Sequence, residues 1–256
     1  MVIRRSRGAC ILISVLVLSS ATVVAAERAD ALLIVNSTSS DFIDAQQKVR
    51  PYLDHFGVPY TVIDVATETL GPEVGEYALI VIGHRGIDRG NVYVDAIEQA
   101  RISDAVAGGT GLVSFDNDLS WSDSSPRYQF VQDIFGFGYA TSDGVSGLTF
   151  PTGSDSHYVT SLHSDGESIS TASMRSAGLV LPEGVQALVV STSPVEPFLV
   201  ATSYGGGRAV QWASYDWMIT DVKGPMFGID DLVWRSLVWA SRKPFVMQGL
   251  PKLVTM

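Results

Sequence analysis

The sequence predicts an α/β domain: a mainly parallel sheet with helices on both faces and a β-rich insertion. Three observations predict it. Short apolar runs recur at 31–36, 58–65, 77–83 and 110–118. Segments with helical spacing or helix-stop glycines lie between the first and second runs and between the third and fourth. Such alternation is the mark of a parallel sheet whose strands are covered by crossover helices.

Each element has its own signal. ALLIVN (31–36) is apolar and ends in polar residues, as a buried parallel strand does. In DFIDAQQKVRPYLDHFG, residues Phe42, Ala45, Val49, Leu53 and Phe56 share one helical face and Gly57 supplies a stop, while Pro51 is expected to kink or restart the helix. VPYTVIDV (58–65) and YALIVIG (77–83) are the second and third strands. VYVDAIEQARISDAVAGG is a helix closed by Gly108-Gly109, and TGLVSFDND (110–118) is the fourth strand. Residues 119–186 are rich in Ser, Asp, Gly and Thr and read as an insertion of loops and short strands. ALVVST (187–192), PFLVATS (197–203) and RAVQWAS (208–214) resume the strands, with Gly205-Gly206-Gly207 joining the last two as a hairpin. GIDDLVWRSLVWASRKP is a helix with Asp230 and Asp231 in its first turn and Arg242, Lys243 and Pro244 at its end. Trp234 and Trp239 on it read as core aromatics.

The first residues carry Arg4, Arg5 and Arg7, then the apolar stretch ACILISVLVLSS and small residues before Glu27. That order is a secretory signal, and cleavage is placed after Ala26. A domain of 27–243 follows, so the chain is expected to be extracellular, with no membrane association after cleavage. Cys10 lies within the signal and is the one cysteine of the chain. The processed chain therefore has no disulfide, thiol nucleophile or thiolate ligand. The formal charge is −10, and losing the three arginines makes it −13. Nucleic acid and anionic membranes are poor partners for such a chain.

In open α/β sheets ligands bind beyond the carboxyl ends of the strands. There the sequence delivers Asn36, Ser37 and Thr38, then Asp64, then His84 and Arg85, then Asp116, Asn117, Asp118 and Trp121, then Tyr215, Asp216 and Trp217. Of these, Asn36, Ser37, His84, Arg85, Asp116, Asp118, Trp121, Tyr215, Asp216 and Trp217 form the candidate ligand site. Aromatic faces for sugar C–H surfaces, with Asp, Asn and Arg for hydroxyls, permit carbohydrate binding. No catalytic residue is assigned: the turn after the third strand presents His84, and G-x-S-x-G does not occur. His157 and His163 are six residues apart, which on a strand places both on one face, but no further ligand of known metal-site spacing accompanies them. No metal or other cofactor is expected. GGTG (108–111) follows a helix and precedes a strand, the reverse of a phosphate loop.

The segments ALLIVNSTSSDF, HFGVPYTVIDV, EYALIVIGHRG and AGGTGLVSFDND resemble the class I glutamine amidotransferase-like fold, a flavodoxin-like sheet, in variants that lack the catalytic cysteine. More narrowly, the chain is similar to the N-terminal carbohydrate-binding module of secreted exopolysaccharide deacetylases of the galactosaminogalactan type. The stretch DDLVWRSLVWASRKPFVMQGLPKLVTM resembles the lead into a deacetylase domain, with 244–256 as linker and first strand. The resemblance implies a secreted, non-catalytic module for a polysaccharide or amino-sugar polymer, its catalytic domain lying outside these residues. The alternatives are a hydrolase or esterase using Asp116, Asp216 or His84, and a domain that only supports its neighbour.

Overall fold

The computed structural model describes residues 28–122, 125–140, 144–224 and 229–242. The expected signal segment 1–26 and the expected linker and first strand at 244–256 lie outside the described residues. Among the described residues the core is one sheet of nine strands. In chain order these are β1 (Ala31–Val35), β2 (Tyr60–Asp64), β3 (Leu79–Ile82), β4 (Gly111–Ser114), β8 (Ser146–Thr149), β9 (Ser168–Ile169), β11 (Val189–Ser193), β12 (Pro197–Tyr204) and β13 (Gly207–Trp212). Two short pairs lie outside it: β5 (Ser120–Ser122) with β6 (Ser125–Pro126), and β7 (Gly138–Tyr139) with β10 (Leu179–Val180). The helices are α1 (Phe42–Asp44), α2 (Arg50–Phe56), α3 (Ala96–Gly108), α4 (Gln129–Phe135) and α5 (Asp230–Ser241).

The sheet order is β2-β1-β3-β4-β13-β12-β11-β8-β9. Strands β2, β1, β3, β4 and β13 are parallel neighbours. Beyond β13 every pairing is antiparallel. The parallel half has the 2-1-3-4-5 order of a flavodoxin-like fold, whose ligand crevice lies where the order reverses, between β1 and β3. Every residue of β1, β3 and β4 is buried, as the unbroken apolar runs require. Each fully buried Leu, Ile or Val contributes about 1.5–3 kcal/mol.

Several elements differ from the sequence reading. The helix restarts at Pro51, as expected, but through an element the sequence did not announce. A π-helical stretch, Ala45–Val49, joins α1 to α2, and Pro51 sits in the first turn of α2. The wider turn relieves the clash a proline makes with the carbonyl four residues earlier. α3 begins at Ala96, not Val92, because Asp95 accepts from Ile97 and Glu98 while Glu98 accepts from Asp95 N–H, a capping box. Within 119–186 the short strands β8 and β9 extend the main sheet, and the segment also contains α4, whose Phe130, Val131, Ile134 and Phe135 are buried and whose end is Gly136 at φ 64. The hairpin turn uses Gly205 and Gly206, and Gly207 already pairs within β13. A Cβ at Gly207 would lie 2.1 Å from the Val106 carbonyl oxygen at the end of α3. The next residue, Arg208, instead donates to the Trp239 carbonyl of α5 at 3.2 Å. Trp234 and Trp239 are partly buried against the core.

Candidate functional site

The C-terminal ends of β1, β3, β4 and β13 bring most of the predicted residues to one edge. The residue after β1, Asn36, donates its backbone N–H to His84 Nε2 at 2.9 Å, and its amide donates to the Ile87 carbonyl at 2.7 Å. His84 Nδ1 lies 2.9 Å from the Arg85 carbonyl. An acceptor at Nε2 leaves the proton on Nδ1, so both ring nitrogens are occupied in the neutral tautomer. Burial pushes His84 below its ordinary value, against the Arg85 carbonyl and the charges of Asp116, Asp41 and Asp44. His84 is thus a buried fastener between the β1 and β3 loops. Ser37 is exposed and donates its N–H to Asp64 at 2.9 Å. Burial opposes the Asp64 charge, but the hydrogen bonds from Ser37 and Ala66 outweigh it and hold Asp64 below its usual range.

Asp116 holds the loop after β3. It accepts from the N–H groups of Gly86 (2.8 Å), Ile87 (3.0 Å) and Asp118 (2.8 Å) and from the Tyr128 hydroxyl (2.9 Å). Its side chain is buried, and burial pushes its carboxyl up against those four donors. The same loop is closed by Asp88, whose carboxylate accepts from Val92, Tyr93 and Val94 N–H at 2.8–3.0 Å.

Over this frame lies a chain of charges. Arg89 joins Asp41 at 2.8 Å to Asp118 at 2.7 Å. Asp118 also pairs with Arg127 at 3.0 Å. The Arg127 guanidinium lies 3.9 Å from the centre of the Trp121 ring. Trp121, on β5, is 50% exposed. Arg127 and Arg89 were not among the predicted residues; Arg89's partners lie 29 and 48 positions away, and Arg127 meets Asp118 and Trp121 only once the chain turns back through β5 and β6.

The last group behaves differently from the sequence expectation. Tyr215 and Trp217 are fully buried and offer no ring face to a ligand. Tyr215 donates to Asp44 at 2.9 Å and accepts from Arg85 N–H at 3.3 Å. Lys48 lies 5.1 Å from the Tyr215 ring centre and 2.7 Å from Asp44. Trp217 packs on Trp212 and Tyr52, with centroids 5.7 and 5.9 Å apart. The run SYDWM follows a strand, but a 3-10 turn at Asp216–Met218 folds it inward. Asp216 receives the N–H and Nε of Arg175, at 3.1 and 3.3 Å. His157 and His163 do not share a strand face: His157 rests on Trp239 at 4.8 Å, and His163 on Phe150 at 4.1 Å. Among the described residues no group of three or more His, Cys, Asp or Glu side chains could hold a metal.

No protein-family model matches the chain, and no curated protein does. Solved structures do. A putative ThuA-like protein from Parabacteroides merdae is 15% identical with a TM-score of 0.59, covering 88% of this chain and 93% of that one. Another from Bacteroides uniformis is 11% identical with a TM-score of 0.58, covering 82% and 90%. A GH42 β-galactosidase from G. stearothermophilus is 11% identical with a TM-score of 0.50, covering 83% of this chain but 30% of that chain. At these identities the likeness is one of fold, and ThuA-like neighbours fit the flavodoxin-like order described above.

Proposed function

We propose that this chain is a secreted, non-catalytic carbohydrate-binding module that serves an extracellular polysaccharide deacetylase. The observation that carries the binding part is Trp121. It is half exposed, and a guanidinium at 3.9 Å backs its ring. Through Asp118 that guanidinium joins Arg89 and Asp41, whose polar groups are partly open to solvent. A flat aromatic face flanked by fixed donors and acceptors suits a sugar ring. The link to a deacetylase rests on the resemblance of the segment leading to 256. Placement of helices on both faces belongs to the same reading. It is supported by two neighbouring residues of β13, Gly207 and Arg208, which approach α3 and α5 respectively.

The hydrolase reading is weaker. His84 has both ring nitrogens occupied, and Asp116 is buried under four donors. Neither reaches a substrate without rearrangement of the loops.

The test is binding of the purified chain to partly deacetylated and fully acetylated amino-sugar polymers. Trp121→Ala is expected to lower affinity roughly 5- to 30-fold, since one aromatic contact is worth about 1–2 kcal/mol. Its melting temperature is expected to stay unchanged. Equal affinity in both proteins removes Trp121 from the site. No binding by either protein removes the carbohydrate reading.

A further inference from the structure

A second cluster, away from the candidate site, joins the segment after β8 to α5. His163 is 9% exposed and stacks on Phe150 with a ring-plane angle of 10°. Its Nδ1 lies 3.0 Å from Glu167 and its Nε2 lies 3.3 Å from Asp231 in the first turn of α5. Both ring nitrogens therefore face carboxylates. Only the doubly protonated ring can donate to both; a neutral ring must turn one lone pair towards a carboxylate oxygen. Phe150, which faces the ring from the end of β8, is uncharged. One turn further along α5, Arg235 donates to the carbonyls of Tyr158 (2.6 Å) and Val159 (3.2 Å). Arg235 keeps its charge at every working pH. Glu167 also closes its own turn, accepting from Ser164 N–H at 3.1 Å, and its carbonyl accepts from Phe150 N–H at 3.1 Å.

We propose that residues 163–167 form a proton-dependent clasp. With His163 doubly protonated, the segment is locked to α5; when the ring loses one proton to water, the 163–167 end loosens while Arg235 keeps residues 158–161 attached.

Burial works against the His163 charge, but the hydrogen bonds to Asp231 and Glu167 outweigh it and raise the group above its ordinary value. A group raised on folding contributes stability that is full below the unfolded value, about 6.5, and is lost as pH rises through the folded value. The clasp is thus closed in acid and opens as pH rises through the raised folded value.

The experiment uses the full chain. Proton NMR of the His163 ring is expected to give a midpoint above about 6.5. Thermal melts of wild type and His163→Gln, run from about pH 5.5 to about pH 9, are expected to show a wild-type advantage of roughly 2–4 °C in acid that vanishes in base. A difference that stays constant with pH, or a midpoint at or below about 6.5, overturns the proposal. Should His163→Gln fail to fold, the wild-type midpoint decides, with Asp231→Asn expected to lower it; an unmoved midpoint in that variant also overturns the clasp.

Discussion

Replacing Asp116 by Asn asks whether a carboxylate holds the loop that carries His84 and Arg85. The two side chains have the same shape, but Asn turns one acceptor oxygen into an NH2 donor. In the native site Oδ1 accepts from Gly86 and Asp118, and Oδ2 accepts from Ile87 and the Tyr128 hydroxyl. The better placing of Asn keeps its oxygen on Gly86 and Asp118. Its NH2 then meets the Ile87 N–H, a donor against a donor. Ile87 is 2% exposed, so water offers no replacement. One buried N–H without an acceptor costs about 1–3 kcal/mol. The flipped amide leaves two such groups and costs more. For a domain of this size the expected fall in Tm is roughly 2–12 °C. The assay is urea unfolding followed by tryptophan fluorescence, with the slope expected to stay constant. A loss below about 0.5 kcal/mol, the range of an ordinary surface substitution, refutes the reasoning. It would mean that the native carboxyl is already protonated, the direction in which burial pushes it.

Two other expected outcomes follow from the same frame. Asp88→Ala removes the carboxylate that accepts from the consecutive N–H groups of Val92, Tyr93 and Val94, and is expected to destabilise by about 1–3 kcal/mol or more and to raise amide exchange at 92–94; unchanged exchange there would contradict the role. Gly207→Ala places a methyl 2.1 Å from the Val106 carbonyl and 2.6 Å from the Thr110 carbonyl, both backbone, so β13 and α3 must part, at about 1–3 kcal/mol or more in thermal unfolding; a neutral result would show that α3 can shift freely.

The legibility of this chain varied with the kind of signal. Strands β1, β3 and β4 were legible because a strand covered on both faces is apolar nearly throughout. Asp95 and Glu98 also carried the true start of α3, since a capping box is local. Helix α4 was legible in principle from Phe130, Val131, Ile134, Phe135 and Gly136, but its seven residues sit among Ser, Asp and Gly that mask a short period.

What the sequence determined by itself was the existence and order of the parallel strands and the polar residues near their C-terminal ends, because both depend on neighbours a few positions away. Only the tertiary structure decided which of those residues face outward. Tyr215 and Trp217 leave the same strand end as a predicted ligand face, yet the 3-10 turn carries both into the core. His84 is spent on Asn36, 48 positions away, and Trp121 gains its backing from Arg127 across a hairpin. Likewise β8 and β9 join the sheet through the pairing of β8 with β11, a contact that no local pattern encodes. Exposure and hydrogen-bond partners are properties of packing between distant segments, and a side chain's chemistry is available only after that packing has used what it needs.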